Sequence, residues 1–348
     1  MVANEQALLF TQFWKGSRVM VTDEFLAPPV VLKIDDSIIA TLGNFSASTG
    51  KAKSKKTFNI SAIVAAMLTN STVLNYQAYL PPNKQMILYV DTEQSPFHCK
   101  RVLERIIKLA DLPLDKQPEN LEFLALRKFS PDVRIKIIEQ AIYNTENLGV
   151  VIIDGIRDLA FDINSPSEAT DVITKLMLWT DECYIHIHTV LHLNKGDDNT
   201  RGHLGTELNN KAEAILQVTK NEVDNDVSVV TAKCIRDVEF EPFAFRINDE
   251  SLPELLFDFC ITNNLSKKAF DYNDLAENKH MSALNLVFSD GKQYGYSELI
   301  VQLKKAYQEI VGVEFGVGKA KQLKQYLENK QLIIQEGKKY KYNSKSHI

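Results

Sequence analysis

The sequence predicts an α/β protein, with a mainly parallel sheet covered on both faces and a small α+β unit after it. Three observations predict it. Residues 86–91 (MILYVD) and 149–154 (GVVIID) are nearly continuous apolar runs, as expected of strands buried on both faces. Helical patterns alternate with such runs through the first two thirds of the chain. Beyond residue 262 a polar stretch gives way to helices and a short hairpin.

The elements follow in order. Residues 1–28 read as a helical arm carrying Phe10, Phe13 and Trp14. Residues 37–42 (SIIATL) read as the strand entering a loop of glycine and lysine, and 57–74 as the apolar-faced helix leaving it. Then come a strand at 86–91 and an amphipathic helix at 98–111 with Lys and Arg on its wet face. A strand at 121–126, a helix at 131–144, a strand at 149–154, a helix at 169–183 and a strand at 186–193 complete the alternation. Residues 214–219, 228–234 and 243–247 read as strands that extend the sheet partly antiparallel. The expected domains are an arm at 1–28, a core at 29–262, a linker at 263–280 and a terminal unit at 281–348.

Composition narrows the class. With 45% hydrophobic and 24% charged residues, the chain can bury a core and stay in water. No apolar run nears the ~20 residues of a bilayer span. The N-terminus lacks the basic-then-apolar order of a signal peptide, so a cytoplasmic protein without membrane contact is expected. Cys99, Cys183, Cys234 and Cys260 form no C-x-x-C pair, which favours reduced thiols over a disulfide frame or zinc site. The net charge of −5 is uneven: residues 297–348 hold ten Lys against five Glu. A basic tail on an acidic body keeps DNA open as a partner.

The chemistry-bearing motif is Gly50-Lys51-Ala52-Lys53-Ser54-Lys55-Lys56-Thr57. It meets the phosphate-loop pattern G-x-x-x-x-G-K-[ST] at Gly50, Lys56 and Thr57, with Lys55 where the second glycine belongs. In such a loop the backbone N–H groups, with a helix N-terminus behind them, surround phosphate. Lys56 would reach the β/γ-phosphates of ATP, Thr57 would bind Mg²⁺, and Phe58 is the next residue in contact range. Asp154 ends a buried strand, where it would hold Mg²⁺ through water. A second strand ends in Asp91-Thr92-Glu93. His186, His188 and His192 share one strand face, but 188 and 192 stand ~13 Å apart, too far for one tetrahedral ion. They read as sheet-filling histidines.

The order and spacing of these motifs make residues 30–250 resemble the RecA-like fold of RepA-type, AAA_25-like ATPases. That resemblance implies further roles. Glu93 would polarise the attacking water, with Asp91 the alternate, and His192 or Asn194 would sense the γ-phosphate. Lys195, Arg201 and His203 would face DNA. Arg236, with Lys233, would be an arginine finger entering a neighbouring subunit's site, so a homo-oligomeric ring, up to a hexamer, is implied.

Residues 281–348 resemble a winged helix. Ser297 is the expected N-cap of its second helix. Lys319, Lys321 and Lys324 would be exposed on a recognition helix, and Lys338 and Lys339 would tip the wing, all positioned for DNA phosphates. The expected function is an ATP-dependent, helicase-like motor acting on DNA in replication or on a mobile element. One alternative is an ATP-binding DNA regulator with little hydrolysis. A small-molecule kinase is disfavoured, since only Arg157 lies between Asp154 and Arg201.

Overall fold

The computed structural model describes residues 2–193, 202–221, 224–256, 272–275, 277–312 and 315–343. The chain divides into two compact units, Met1–Ile261 and Thr262–Ile348.

The first unit contains α1 (Val2–Gly16), β1 (Val30–Ile34), β2 (Ser37–Thr41), β3 (Phe45–Gly50), α2 (Lys56–Thr69), β4 (Thr72–Val73), β5 (Tyr76–Ala78), β6 (Met86–Asp91) and α3 (Pro96–Leu109). It continues with β7 (Leu121–Ala125), α4 (Pro131–Asn144), β8 (Leu148–Asp154), α5 (Pro166–Cys183), β9 (His186–His192) and α6 (Gly202–Lys211). It closes with β10 (Ala214–Lys220), β11 (Val227–Ile235), β12 (Phe243–Ile247) and β13 (Pro253–Leu256).

A nine-stranded sheet runs in the order β13-β12-β11-β10-β3-β9-β8-β6-β7. From β10 to β7 every neighbouring pair is parallel; from β10 outward to β13 every pair is antiparallel. One face is covered by α2 and α3 through Ile60, Ile63, Val102 and Ile106, the other by α4, α5 and α6 through Ile138, Ile173, Trp179 and Leu204. Parallel strands place their carboxyl ends along one edge, where open α/β sheets bind ligands.

The strand entering the loop is β3, sequence FSASTG, and not SIIATL. β2 belongs to a separate antiparallel sheet, β2-β1-β5-β4, which packs beside α2, with Tyr76 donating its hydroxyl to Asn59 Oδ1 at 2.8 Å. β3 is fully buried between β9 and β10. Small residues suit that position because α2 and the facing helices press closely on both sides.

β3 and β9 are also joined through side chains. The four contacts form one chain of donors: Ser48 Oγ to His188 Nε2 (2.9 Å), His188 Nδ1 to Ser46 Oγ (2.7 Å), Ser46 Oγ to His186 Nε2 (2.7 Å), and His186 Nδ1 to Thr41 O (2.9 Å). Every proton has an acceptor when both rings are neutral. The sheet-filling reading holds for His186 and His188, whereas His192 is half-exposed at the end of β9.

The second unit holds α7 (Glu277–Val287), α8 (Tyr296–Val311), α9 (Val317–Asn329), β14 (Ile333–Glu336) and β15 (Lys339–Tyr342). Its own core joins Leu284, Leu299, Leu303, Tyr307, Leu323 and Leu327. Tyr294 pairs with Tyr340, adding a bridge to the hairpin β14-β15. α8 is capped at Gly295, whose N–H donates to Glu298 Oε2 at 3.3 Å, so Ser297 is not the N-cap.

Burial pushes His186 down to about 4 and His188 down to about 3, the latter helped by His186 beside it. A lowered histidine contributes stability that is present above its usual value of 6.5 and is lost as pH falls through the folded value. Thermal unfolding of wild type and His188→Asn is therefore expected to diverge below pH 6.5. Wild type should lose ~1.4 kcal/mol, about 3–5 °C, more per pH unit. Parallel profiles would contradict a buried neutral His188.

Candidate active site

Four adjacent strands bring their carboxyl ends together. β3 ends at Gly50, β9 at His192, β8 at Asp154 and β6 at Asp91, with β9 inserted between β3 and β8. A cleft of ≈ 340 Å³ opens there, lined among others by Lys53, Ser54, Lys56, Thr57, Phe58, Glu93, Asp154 and His192. Lys51 and Ala52 are exposed on the loop beside it.

Gly50 sits where an added Cβ would strike Val218 O and the Ser54 hydroxyl, so the turn out of β3 admits no side chain. Lys53 and Lys55 both take left-handed backbone, with φ of 64° and 65°. That region costs a non-glycine residue roughly 1–2 kcal/mol. Lys55 thus adopts the conformation for which glycine is usual, immediately before α2. Lys56 Nζ lies buried and donates to Gly50 O (2.8 Å) and Lys51 O (2.9 Å). Desolvation lowers it to about 8 against the opposing pull of Asp154 and Glu93.

Asp154 accepts from Tyr89 Oη at 2.9 Å, and the Thr57 hydroxyl also favours its charged form. Burial, then the nearby Asp91 and Glu93, pushes it up to about 7. The two strand-end carboxylates after β6 have different work. Asp91 is buried and accepts from the backbone N–H of Glu93 (3.0 Å) and Gln94 (2.7 Å) and from Gln94 Nε2 (2.8 Å), so its oxygens are committed to holding a turn. Glu93 projects into the cleft with Oε1 3.5 Å from His192 Nε2. Its hydrogen bond to His192, opposed by burial and supported by the charges of Lys56 and Arg157, holds its carboxyl below the usual value. The turn is fastened to β8: Thr92 Oγ1 donates to Gly155 O at 2.8 Å. Gly155 has φ of 105°, and a Cβ there would collide with Thr92 and Glu93.

Other expected residues lie elsewhere. Asn194, Lys195 and Arg201 are outside the described residues. His203 is exposed at the start of α6 and does not line the cleft. Lys233 and Arg236 lie toward the opposite end of the sheet. β10 runs parallel to β3, with Gln217 beside Thr49, and β11 runs back against it, with Ile235 beside Ala214. Arg236 is therefore level with Glu213, five residues or about 17 Å along β10 from Val218 beside Gly50. It is exposed and donates to Lys211 O at 3.0 Å.

In the second unit Lys321, Lys338 and Lys339 are exposed and Lys319 is half-buried, with Nζ 4.9 Å from the Tyr272 ring centre. Lys324 is corrected: it is 8% exposed, pairs with Glu328 at 2.8 Å and lies 4.6 Å from the Tyr340 ring centre. It follows the inward Leu323 on α9, so its stem packs on the core and its charge is already paired.

The cleft also contains residues that motif reading missed. His98, Arg101 and Arg105 of α3 line it, and Arg105 Cζ stacks 3.7 Å from the Phe58 ring centre. Their signal was the basic wet face of an amphipathic helix, which in the fold is turned to the cleft.

Fold and site together define a RecA-like P-loop ATPase. The model of the AAA_25 family, described as an AAA domain, matches residues 21–198, just over half of the chain, and the chain belongs to this family. No curated protein matches it. Among solved structures it is similar to the RadB recombinase at 14% identity, over 63% of this chain and 93% of that one, with a TM-score of 0.45. It is similar to a KaiC-like protein from Pyrococcus horikoshii OT3 at 12% identity, over 67% of this chain and 100% of that one, with a TM-score of 0.46.

The residues present fit the nucleotide and Mg²⁺ that the family implies. A hydroxyl and a carboxylate, Thr57 and Asp154, both line the cleft as hard oxygen donors. Ser54 Oγ and His192 Nδ1 are buried without a partner among the described residues. With Asp154 raised to about 7, a cation that needs the carboxylate must displace a proton. Affinity for ADP in Mg²⁺ is expected to fall about tenfold per pH unit below 7 in wild type, beyond any slope kept by Asp154→Asn. Titrations from pH 5.5 to 8.5 giving identical slopes would contradict this environment for Asp154.

Proposed function

We propose that this chain is an ATP-hydrolysing motor of the RepA type that acts on DNA and works at subunit interfaces. The observation that carries the reading is the convergence of Lys56, Thr57, Asp154, Glu93 and His192 from four neighbouring strand ends on one cleft. Lys56 binds the β/γ-phosphates. Thr57 and Asp154 hold Mg²⁺, which when bound neutralises phosphate charge. Glu93 is the base rather than Asp91, because it alone has an oxygen free of the turn and in the cleft. His192 senses the γ-phosphate through its contact with Glu93, with Asn194 following it.

Arg236 supports an oligomer. It stands at the wrong end of the sheet for its own site, so a finger role requires a neighbour, as in a ring. The terminal unit, three helices and a hairpin, supports a winged helix that contacts DNA phosphates through Lys319, Lys321, Lys338 and Lys339, without Lys324. No helix among the described residues is long and apolar enough to cross a membrane.

ATP turnover with Mg²⁺, with and without single-stranded DNA, tests the proposal. Lys56→Ala, Glu93→Gln and Arg236→Ala should each lose at least about 100-fold. Mixing Arg236→Ala with Lys56→Ala should restore part of the activity, since a mixed interface joins an intact loop to an intact finger. Full activity in Lys56→Ala, or no recovery on mixing, would contradict it. Tight ATP binding without DNA-stimulated turnover would favour the regulator instead.

A further inference from the structure

The reading of the cleft leaves Lys55 unexplained. It replaces the glycine of the phosphate loop and is among the residues lining the cleft, yet its ammonium is engaged outside it. Its ammonium turns away to the connection between β10 and β11, where Nζ donates to Asp226 O at 2.5 Å. Burial, the largest effect, lowers its pKa there with help from Lys220, against the pull of Asp226 and Asp224. The described residues of the connection are hydrogen-bonded to one another. Asn221 N donates to Val227 O (2.9 Å), Val227 N to Asp224 O (3.1 Å), and Asp226 N to Asp224 Oδ1 (2.9 Å). It stands level with the loop because β10 is the parallel neighbour of β3, in register from Ile215 beside Ala47 to Gln217 beside Thr49. The adjacent Lys56 turns the other way, onto Gly50 O and Lys51 O.

We propose that Lys55 is a positioning residue: its side chain tethers the phosphate loop to the β10–β11 turn and so holds, without glycine, the left-handed backbone that aims the first N–H groups of α2 into the cleft. The proposal rests on the reading of the cleft as a nucleotide site and assigns the Asp224–Asp226 turn to that site. Glycine reaches φ near 65° through its own freedom. A lysine is held there by the contact of its ammonium with the Asp226 carbonyl. The turn also begins β11, so the strand that reaches the loop at one end carries Arg236 at the other.

The test is binding of the fluorescent nucleotide mant-ADP with Mg²⁺ to the full chain, using Lys55→Gly, Lys55→Met, the pair Asp224→Asn with Asp226→Asn, and that pair combined with Lys55→Gly. Thermal unfolding confirms that each variant is folded. Lys55→Met keeps the strained backbone and loses the tether, so affinity should fall about tenfold. Lys55→Gly should stay within about twofold of wild type. The paired Asn changes should weaken wild type several-fold and leave Lys55→Gly unaffected. Equal losses in Lys55→Gly and Lys55→Met would overturn the proposal, because they would mean the ammonium acts on phosphate. Equal effects of the Asn pair in both backgrounds would overturn it too. If wild type and Lys55→Gly both fail to bind, the nucleotide reading falls and takes the tether with it.

Discussion

The burial of β3 between two parallel neighbours is the constraint on which the rest of this structure depends. One aromatic and five small residues, FSASTG, run through the middle of the sheet with no exposed position. Backbone pairing to β9 and β10 and the Ser–His chain leave the strand one register. A slip of one residue would break the three hydrogen bonds between the β3 serines and the β9 histidines, and would drive Gly50 from a turn where an added Cβ would strike Val218 O and Ser54 Oγ. With β3 fixed, the loop, the start of α2 and the position of Lys56 follow. With β9 fixed beside it, His192 reaches Glu93.

The same burial sets the electrostatics. Apolar strands behind the cleft raise Asp154 and lower Lys56, so each ion is costly alone and each favours the other. Buried polar groups of this kind are retained where they have work to do, and here Ser54 Oγ and His192 Nδ1 have no protein partner among the described residues. Asp91 and Glu93 show how little separates structure from chemistry. They are two residues apart, yet one caps a turn and the other faces the cleft.

Much of this was legible in the sequence because apolar runs and alternating helices are strong signals. MILYVD and GVVIID marked β6 and β8 and carried Glu93 and Asp154 to strand ends. β3 was not legible, since Ser46, Ala47, Ser48, Thr49 and Gly50 make no continuous run of large apolar residues and Ala and Gly are poor strand formers; only the fold makes small size an advantage. SIIATL looked more strand-like and is a strand, but of the side sheet built with Tyr76–Ala78, a segment too short to announce itself. Lys324 failed for a related reason. Charge predicts exposure, but a lysine beside Leu323 can lay its stem on the core and pair its head with Glu328. The basic face of α3 was seen as wet, which is correct, although the water it faces is that of the cleft.

The most direct test is a crystal structure of the full chain with ADP, Mg²⁺ and a fluoride mimic of the γ-phosphate. The account predicts that the phosphates lie at the start of α2 and that Lys56 Nζ leaves Gly50 O to contact them. Thr57 and Asp154 should flank the metal, and Glu93 should face the mimic. A nucleotide bound away from β3, or bound there with Lys56 still on Gly50 O, would contradict it.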